Sequence, residues 1–287
     1  MAAFLEWVNM NAPTNTGPSV SSAEQGSARS IGLATWNVRG FARPNIDDLG
    51  VVLNAEPSAI IVVQELQRSQ AKHLARVLGM EHYWSFKHSP LGPLLPRFAE
   101  GLATFSTEPL RRTETLDITP KARAFSHRRR IAQFTYLDHL ETDVVNIHLA
   151  SHDDSSARLE QLHSVLEQLQ TRGATRCIFA GDFNAAHEPS LYALMTTGGF
   201  ADAWVQQEGG SNPADSQLAN PEGPFPRQWP MASSGDGFTN PAGSTRSRLD
   251  RIFVRGFNAV SASVPLDNPS WAKLSDHLPV FSIASAT

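Results

Sequence analysis

The chain has 287 residues, 41% of them hydrophobic and 18% charged, with a formal net charge of -4. That length suits one large domain or two small ones, with a core of ordinary size. The acidic balance excludes a uniformly basic nucleic-acid binder, so any contact with a polyanion must come from local basic clusters. Cys177 is the single cysteine, which excludes an intramolecular disulfide and a cysteine-based zinc site and fits a reducing, intracellular setting.

Residues 1–29 are rich in Ala, Ser, Asn, Thr, Gly and Pro and read as a flexible arm, with the folded domain over 30–287. The arm lacks the basic and apolar regions of a signal peptide, and no apolar run in the chain spans a bilayer, so a soluble protein is expected. IGLATWNV predicts a strand from Ile31. A helix follows over about Ile46 to Asn54, with Asp47 and Asp48 favourably placed in its first turn. SAIIVVQE is an apolar run of strand length, buried on both faces and ending at Glu65. Ser69 is suited to cap a helix running to about Leu78. Pro90, Pro93 and Pro96 then mark a loop.

GLATFST, LRRTETLDI, RRIAQFTYL and TDVVNIHLA read as consecutive strands. From Ser155 to Gln170, Leu159, Leu162, Val165, Leu166 and Leu169 recur at helical spacing, and Gly173 is a natural stop. RCIFAGDFN is another buried strand, and Glu188 to Thr197 a short helix. Gln206 to Thr245 is rich in Gly, Pro, Ser and Asn and reads as irregular; a loop of that length is functional or disordered. SRLDRIFV and PVFSIA supply the last strands. Two mixed β-sheets packed face to face, with helices outside, would satisfy this α/β order.

Several of these strands end in polar clusters: Asn37, Glu65, His148, and Asp182 with Asn184. Asp276-His277 precedes the last strand and Asp250 lies within SRLDRIFV. Groups at the ends of rigid strands are held accurately, as a site requires. Glu65 and Asp276 offer carboxylates and Asn37 a carbonyl, the oxygen donors that Mg²⁺ prefers. Carboxylates, histidines and asparagines together are an inventory for attack on a phosphate: a metal to offset charge, a base for water, an acid for the leaving oxygen and amide donors for the phosphoryl oxygens. Singly each motif is weak, since Gly-Asp and Asn are common turn residues. Their joint occurrence carries the reading.

In order, TWNVRG, VVQEL, NIHLAS, AGDFNA, SRLDRIFV and SDHLPVF resemble the motifs of the endonuclease/exonuclease/phosphatase superfamily, the deoxyribonuclease I-like fold. They span Thr35 to Phe281. The resemblance implies a four-layered α/β sandwich and hydrolysis of phosphodiesters or phosphomonoesters with Mg²⁺ or Mn²⁺. It implies a metal site at Glu65, Asn37 and Asp276, and Asp182 as the residue that orients or deprotonates water. Asn184 would orient the phosphate, and Asp250 with His277 would contact the scissile group. His148 in NIHLAS resembles deoxyribonuclease I, the distending-toxin nucleases and neutral sphingomyelinases more than the exonuclease III-like repair enzymes. SRLDRI lacks the PAWCDR-like sequence of inositol 5-phosphatases. STRSRLDRIFV with TWNVRG also resembles the endonuclease domains of non-LTR retrotransposons.

Glu100, opening EGLATFS, is a candidate to orient His148 as a general acid. Arg39 in NVRG and Arg130 in HRRRIAQF are the candidate substrate-binding residues. Alternation puts Arg128 and Arg130 on one face and Arg129 on the other, with Lys121 and Arg123 extending the cluster. Arg246, Arg248, Arg251 and Arg255 form a second basic segment around Asp250 and suggest a field focused on a polyanion. The expected function is that of a monomeric metal-dependent endonuclease acting on nucleic acid, DNA before RNA. A phosphodiesterase or phosphatase for a phospholipid or small phosphoester is the alternative, kept open by Trp204, Trp229 and Trp271 as loop aromatics. A binding module without catalysis is disfavoured, because every catalytic residue type is present.

Overall fold

A computed structural model describes residues 30–89, 99–120, 129–151, 154–186, 188–208, 237–265 and 271–287. The expected N-terminal arm, Lys121, Arg123, Arg128 and Trp229 lie outside the described residues, as does most of the irregular 206–245 segment. In chain order the strands are β1 (Ser30–Asn37), β2 (Ile60–Gln67), β3 (Glu81–His88), β4 (Glu100–Ser106), β5 (Arg111–Asp117), β6 (Ile131–Leu137), β7 (Thr142–His148), β8 (Cys177–Asp182), β9 (Ala201–Asp202), β10 (Asp250–Arg255), β11 (Phe257–Ser263) and β12 (Val280–Ala286). The helices are α1 (Ile46–Leu53), α2 (Arg68–Leu78), α3 (Ser155–Thr171), α4 (Pro189–Thr197) and α5 (Ala203–Glu208). No described helix is long and apolar enough to cross a membrane.

The strands form two six-stranded mixed sheets, ordered β11-β12-β1-β2-β4-β3 and β5-β6-β7-β8-β10-β9. The parallel pairs β1–β2 and β7–β8 lie at the centres of the two sheets. Each pair is connected through a helix, α1 for the first and α3 for the second, as a parallel crossover requires. The expected fold class, two face-to-face sheets with helices outside, is what forms.

Strand alternation divides the core. In the second sheet Val144, Ile178, Ala180, Ile252 and Val254 pack with the residues of the first sheet. Their neighbours Val145, Ile147, Cys177, Phe179 and Phe253 pack outward against α3 and α4. Between the sheets the layer is partly polar. Asn146 of β7 donates to the carbonyls of Val63 and Ala103 and accepts from Gln64 at 2.9 Å. Gln133 of β6 accepts from Thr104 at 2.7 Å and donates to Ser85 and to the carbonyl of Tyr83. Each bond joins one sheet to the other and satisfies an amide that would be costly to bury alone.

Several expectations shift in detail. Gln67, not Ser69, caps α2, through a capping box with Gln70. β2 does not end at Glu65 but continues to Gln67, because Glu65 is the extra residue of a bulge facing β4. The strands EHYWSFKH (β3) and FNAVSAS (β11) were not anticipated. Trp204 packs against the core and Trp271 is buried, so neither is an aromatic free to touch a membrane.

Gly181 makes the close approach of β7 and β8 at the site end. Its φ is 144°, and a Cβ there would lie 2.1 Å from the carbonyl oxygen of Ile147. Gly181→Ala is expected to cost about 1–3 kcal/mol by overpacking against backbone. A urea unfolding midpoint equal to that of the wild type would show that the two strands part there without cost.

Candidate active site

The site lies where the inward-facing positions of both sheets run out into a cleft of about 320 Å³. From the first sheet it receives Asn37, Glu65, Lys87 and Glu100; from the second, His148 and Asp182. The Asp276-His277 loop and Asn184 complete it. Asp250 stands behind His277, opposite Asp182 in the β8–β10 register. All the candidate site residues named from the sequence are therefore gathered at one end of the sandwich.

Asp182 is at the centre. Its Oδ2 accepts from Asn37 Nδ2 at 2.9 Å, and its Oδ1 from the backbone N–H of Asn184 at 2.9 Å. The same Oδ2 lies 3.7 Å from His148 Nε2 and 4.0 Å from His277 Nε2. Burial pushes its carboxyl up to about 6, with His277 opposing the rise. His277 Nδ1 is 2.7 Å from Asp250 Oδ2. Burial would lower the imidazole, but Asp250 and then Asp182 hold it up at about 10.

The supports of His277 come from segments on both sides. Ser275 donates to the Asn37 carbonyl at 2.6 Å and accepts from the His277 N–H at 3.1 Å. Trp36 Nε1 donates to the His277 carbonyl at 2.8 Å. Thr239 receives the N–H of Leu278 on its carbonyl and that of Asp250 on its hydroxyl. Thus part of the stretch read as irregular, 237–245, is a brace for the site.

Three cleft residues other than glycine adopt positive φ: Arg39 at 46°, Glu65 at 58° and Asn184 at 51°. Asn tolerates this region, whereas Arg and Glu are held there at a cost of roughly 1–2 kcal/mol each. Such strain concentrates at functional sites, where the surrounding structure over-determines the backbone. At Glu65 the bulge turns the carboxylate out of the ladder and into the cleft.

Lys87 is the residue that the sequence did not disclose. It is the extra residue of a second bulge, on β3, and is 1% exposed. Its Nζ lies 3.1 Å from His148 Nδ1. Glu100, proposed from the sequence as the partner of His148, makes no hydrogen bond to it; its carboxylate accepts from the backbone N–H of Phe41. Burial, then Glu65, push Glu100 up to about 7. Burial lowers Lys87 to about 8, and burial followed by Lys87 holds His148 well below the ordinary histidine value. The available signal was the aromatic-rich run EHYWSFKH between Gly79 and Pro90, which has strand composition.

The second basic segment is not a polyanion surface. Asp250 faces inward, so alternation sends Arg251 and Arg255 to the opposite face of the sheet. Arg251 is 2% exposed and bonds the carbonyls of Ala185 and Ala186; Arg255 bonds those of Gly198 and Ala174. Arg248 pairs with Asp202 at 2.9 Å. Arg246 remains exposed. Of the first cluster, Arg129 pairs with Asp117 at 2.6 Å, while Arg130 lines the cleft. Arg39 lines it from the other sheet, half-exposed and 3.6 Å from Asp276.

Among the described residues, two donor sets could hold a cation. Asp182, Asp250 and His277 bring possible ligand atoms within 4.8 Å of one another. There, however, His277 Nδ1 is already committed to Asp250. Glu65, Asn37 and Asp276 offer only oxygens, and the two carboxylates are 23% and 43% exposed, so water can complete a shell. That set fits a hard divalent ion better.

Residues 34–277 match the Endonuclease/Exonuclease/phosphatase family. No curated protein matches the chain by sequence. Among solved structures, a family protein from Bacteroides thetaiotaomicron is 18% identical, with a TM-score of 0.66, over 90% of this chain and 96% of its own. A mannosyl-6-phosphatase from the same organism is 17% identical, with a TM-score of 0.63, over 88% and 99%. Truncated TDP2 from Caenorhabditis elegans is 16% identical, with a TM-score of 0.59, over 90% and 98%. At these identities the likeness is one of fold, but the family match spans most of the chain, and the protein belongs to the endonuclease/exonuclease/phosphatase family of phosphoester hydrolases.

Proposed function

We propose that the protein is a Mg²⁺- or Mn²⁺-dependent phosphodiesterase acting on DNA. The observation that carries this reading is the position of Asp182 between two imidazoles, with an arginine on each wall of the same cleft. Glu65, Asn37 and Asp276 are the residues that would hold the metal. A bound divalent ion would offset the charge on the phosphoryl oxygens.

The chain's own groups divide the remaining work. Asp182, fixed by two hydrogen bonds, orients water and accepts its proton as the oxygen attacks phosphorus. His277 is the poorer base, because Asp250 engages its other nitrogen and favours the imidazolium. It donates instead, to a phosphoryl oxygen or to the leaving oxygen as the P–O bond breaks. One amide hydrogen of Asn184 is used by the Leu149 carbonyl, leaving the second for the phosphate. Arg39 and Arg130, one from each sheet, are placed for phosphates on either side of the scissile one.

One observation favours a second reading, a small phosphoester. With Arg248, Arg251 and Arg255 bonded to Asp202 and to backbone carbonyls away from the cleft, the cationic groups of the cleft among the described residues are confined to its immediate walls. A substrate panel of plasmid DNA, RNA, phospholipid vesicles and sugar phosphates separates the two. Hydrolysis of sugar phosphates with no action on DNA would replace the first reading with the second.

The metal is tested with EDTA. Activity on plasmid DNA should vanish on chelation and return with Mg²⁺ or Mn²⁺, and Glu65→Gln should lose most of it. Full turnover in EDTA would remove the metal from the mechanism. Asp182→Asn should retain DNA binding while hydrolysis nearly stops, since it removes the proton acceptor and a repulsion against phosphate.

The arginines divide by location. Arg39→Ala and Arg130→Ala should each flatten the log–log salt dependence of DNA affinity by about one unit. Arg248→Ala should leave that slope unchanged and lower thermal stability, because its partner is Asp202. A slope that responds to Arg248 but to neither cleft arginine would place the DNA elsewhere.

A further inference from the structure

We propose that Lys87 is a positioning residue that holds Nδ1 of His148 as a hydrogen-bond acceptor, so that the ring hydrogen lies on Nε2, directed into the cleft. The reaction role of this arrangement rests on the phosphoesterase reading above; the ring geometry does not.

The argument starts in the backbone. Both neighbours of β4 bulge at the same level. β2 inserts Glu65 opposite the Leu102–Gly101 step, and β3 inserts Lys87 opposite the Gly101–Glu100 step. Gly101 allows the close packing this needs, since a Cβ there would lie 2.1 Å from the Ser85 carbonyl and 2.6 Å from the Trp84 ring. A bulge re-aims a side chain out of the ladder. Here the paired bulges deliver a carboxylate and an ammonium to the same side of His148.

The two then compete for Nδ1. Lys87 Nζ is at 3.1 Å and Glu65 Oε1 at 3.7 Å. The first is a hydrogen-bond distance and the second is not. An ammonium has donors and no lone pair, so the nitrogen it contacts must be the acceptor. Nδ1 therefore carries no hydrogen, and the ring hydrogen sits on Nε2, on the side of Asp182. Glu65 at Nδ1 would have required the opposite tautomer or an imidazolium.

The consequence is chemical. A histidine backed by a carboxylate is poised as an imidazolium acid. Backed by an ammonium at Nδ1, it presents Nε2–H as a fixed donor to a phosphoryl oxygen. A lysine here also adds positive charge to a cleft that must receive an anion, and it leaves proton transfer to Asp182 and His277.

The test reads the ring directly. Long-range ¹H–¹⁵N spectra of the full chain labelled at histidine, with the His148 signals assigned by their loss in His148→Gln, should show Nδ1 unprotonated and Nε2 protonated at neutral pH. Lys87→Met should shift His148 towards the other tautomer, and Lys87→Arg should restore the wild-type pattern. With bis(p-nitrophenyl) phosphate and Mg²⁺, Lys87→Met should lower kcat by about a hundredfold, as loss of one oriented donor does, with little change in KM. Lys87→Arg should recover most of the rate. A protonated Nδ1 in the wild type overturns the proposal, and that result needs no variant to fold. An unchanged His148 spectrum in folded Lys87→Met also overturns it. If the spectra behave as stated but no phosphoester is turned over, the assignment of the ring stands and the phosphoesterase reading falls.

Discussion

The site depends on how the two sheets are locked together. An apolar interface alone would resist separation but would allow the sheets to slide, because hydrophobic burial is non-directional. Hydrogen bonds between buried amides do not allow it. Asn146 bridges from β7 to the backbone of β2 and β4, and Gln133 from β6 to that of β3 and β4. Sliding would strand these groups, at about 1–3 kcal/mol for each unsatisfied one. The carbonyls they use belong to Val63, Ala103, Leu102 and Tyr83, close in sequence to Glu65, Glu100 and Lys87. The bonds that set the register of the sheets therefore also set the distance between the two halves of the cleft.

Given that register, alternation decides which groups meet. Asn146 and His148 share one face of β7, Ala180 and Asp182 one face of β8, and Asp250 and Ile252 one face of β10. Asn146, Ala180 and Ile252 lie between the sheets, and His148, Asp182 and Asp250 lie at the strand ends. The same rule explains the arginines. Residues 251 and 255 are out of phase with Asp250, so they brace the outer face, where Arg251 is held against Tyr192 and Asp202. Charge density along a sequence is a poor guide to surface field when the charges alternate between faces.

Within the cleft, opposite effects are kept apart by a few ångströms. Asp250 raises the pKa of His277, while burial and then Lys87 lower that of His148. Two imidazoles facing a single carboxylate are thus pushed in opposite directions, a separation typical of sites that need both a donor and a proton acceptor. The strained backbone at Arg39, Glu65 and Asn184 belongs to the same economy: the rigid sandwich supplies the stability that these conformations lack.

The sequence by itself determined the elements whose pattern is local. Strands β1, β2, β7, β8 and β12 are continuous apolar runs with polar ends, and α3 has an apolar stripe at helical spacing, so both are read from neighbours in the chain. It also named the candidate donors, because Glu65, Asp182, Asp250 and His277 stand in motifs that bear a family resemblance. It did not determine what depends on pairing. The bulges at Glu65 and Lys87 exist only relative to β4, and a bulge is a mismatch between strands rather than a property of one. β3 was missed because its inward face is polar, Ser85 and Lys87, and meets a hydroxyl, an imidazole and an amide of the other sheet instead of an apolar core. Glu100 opens a strand that could lie beside His148, but the partner at 3.1 Å comes from the neighbouring edge strand, and only the tertiary structure brings that lysine to the ring.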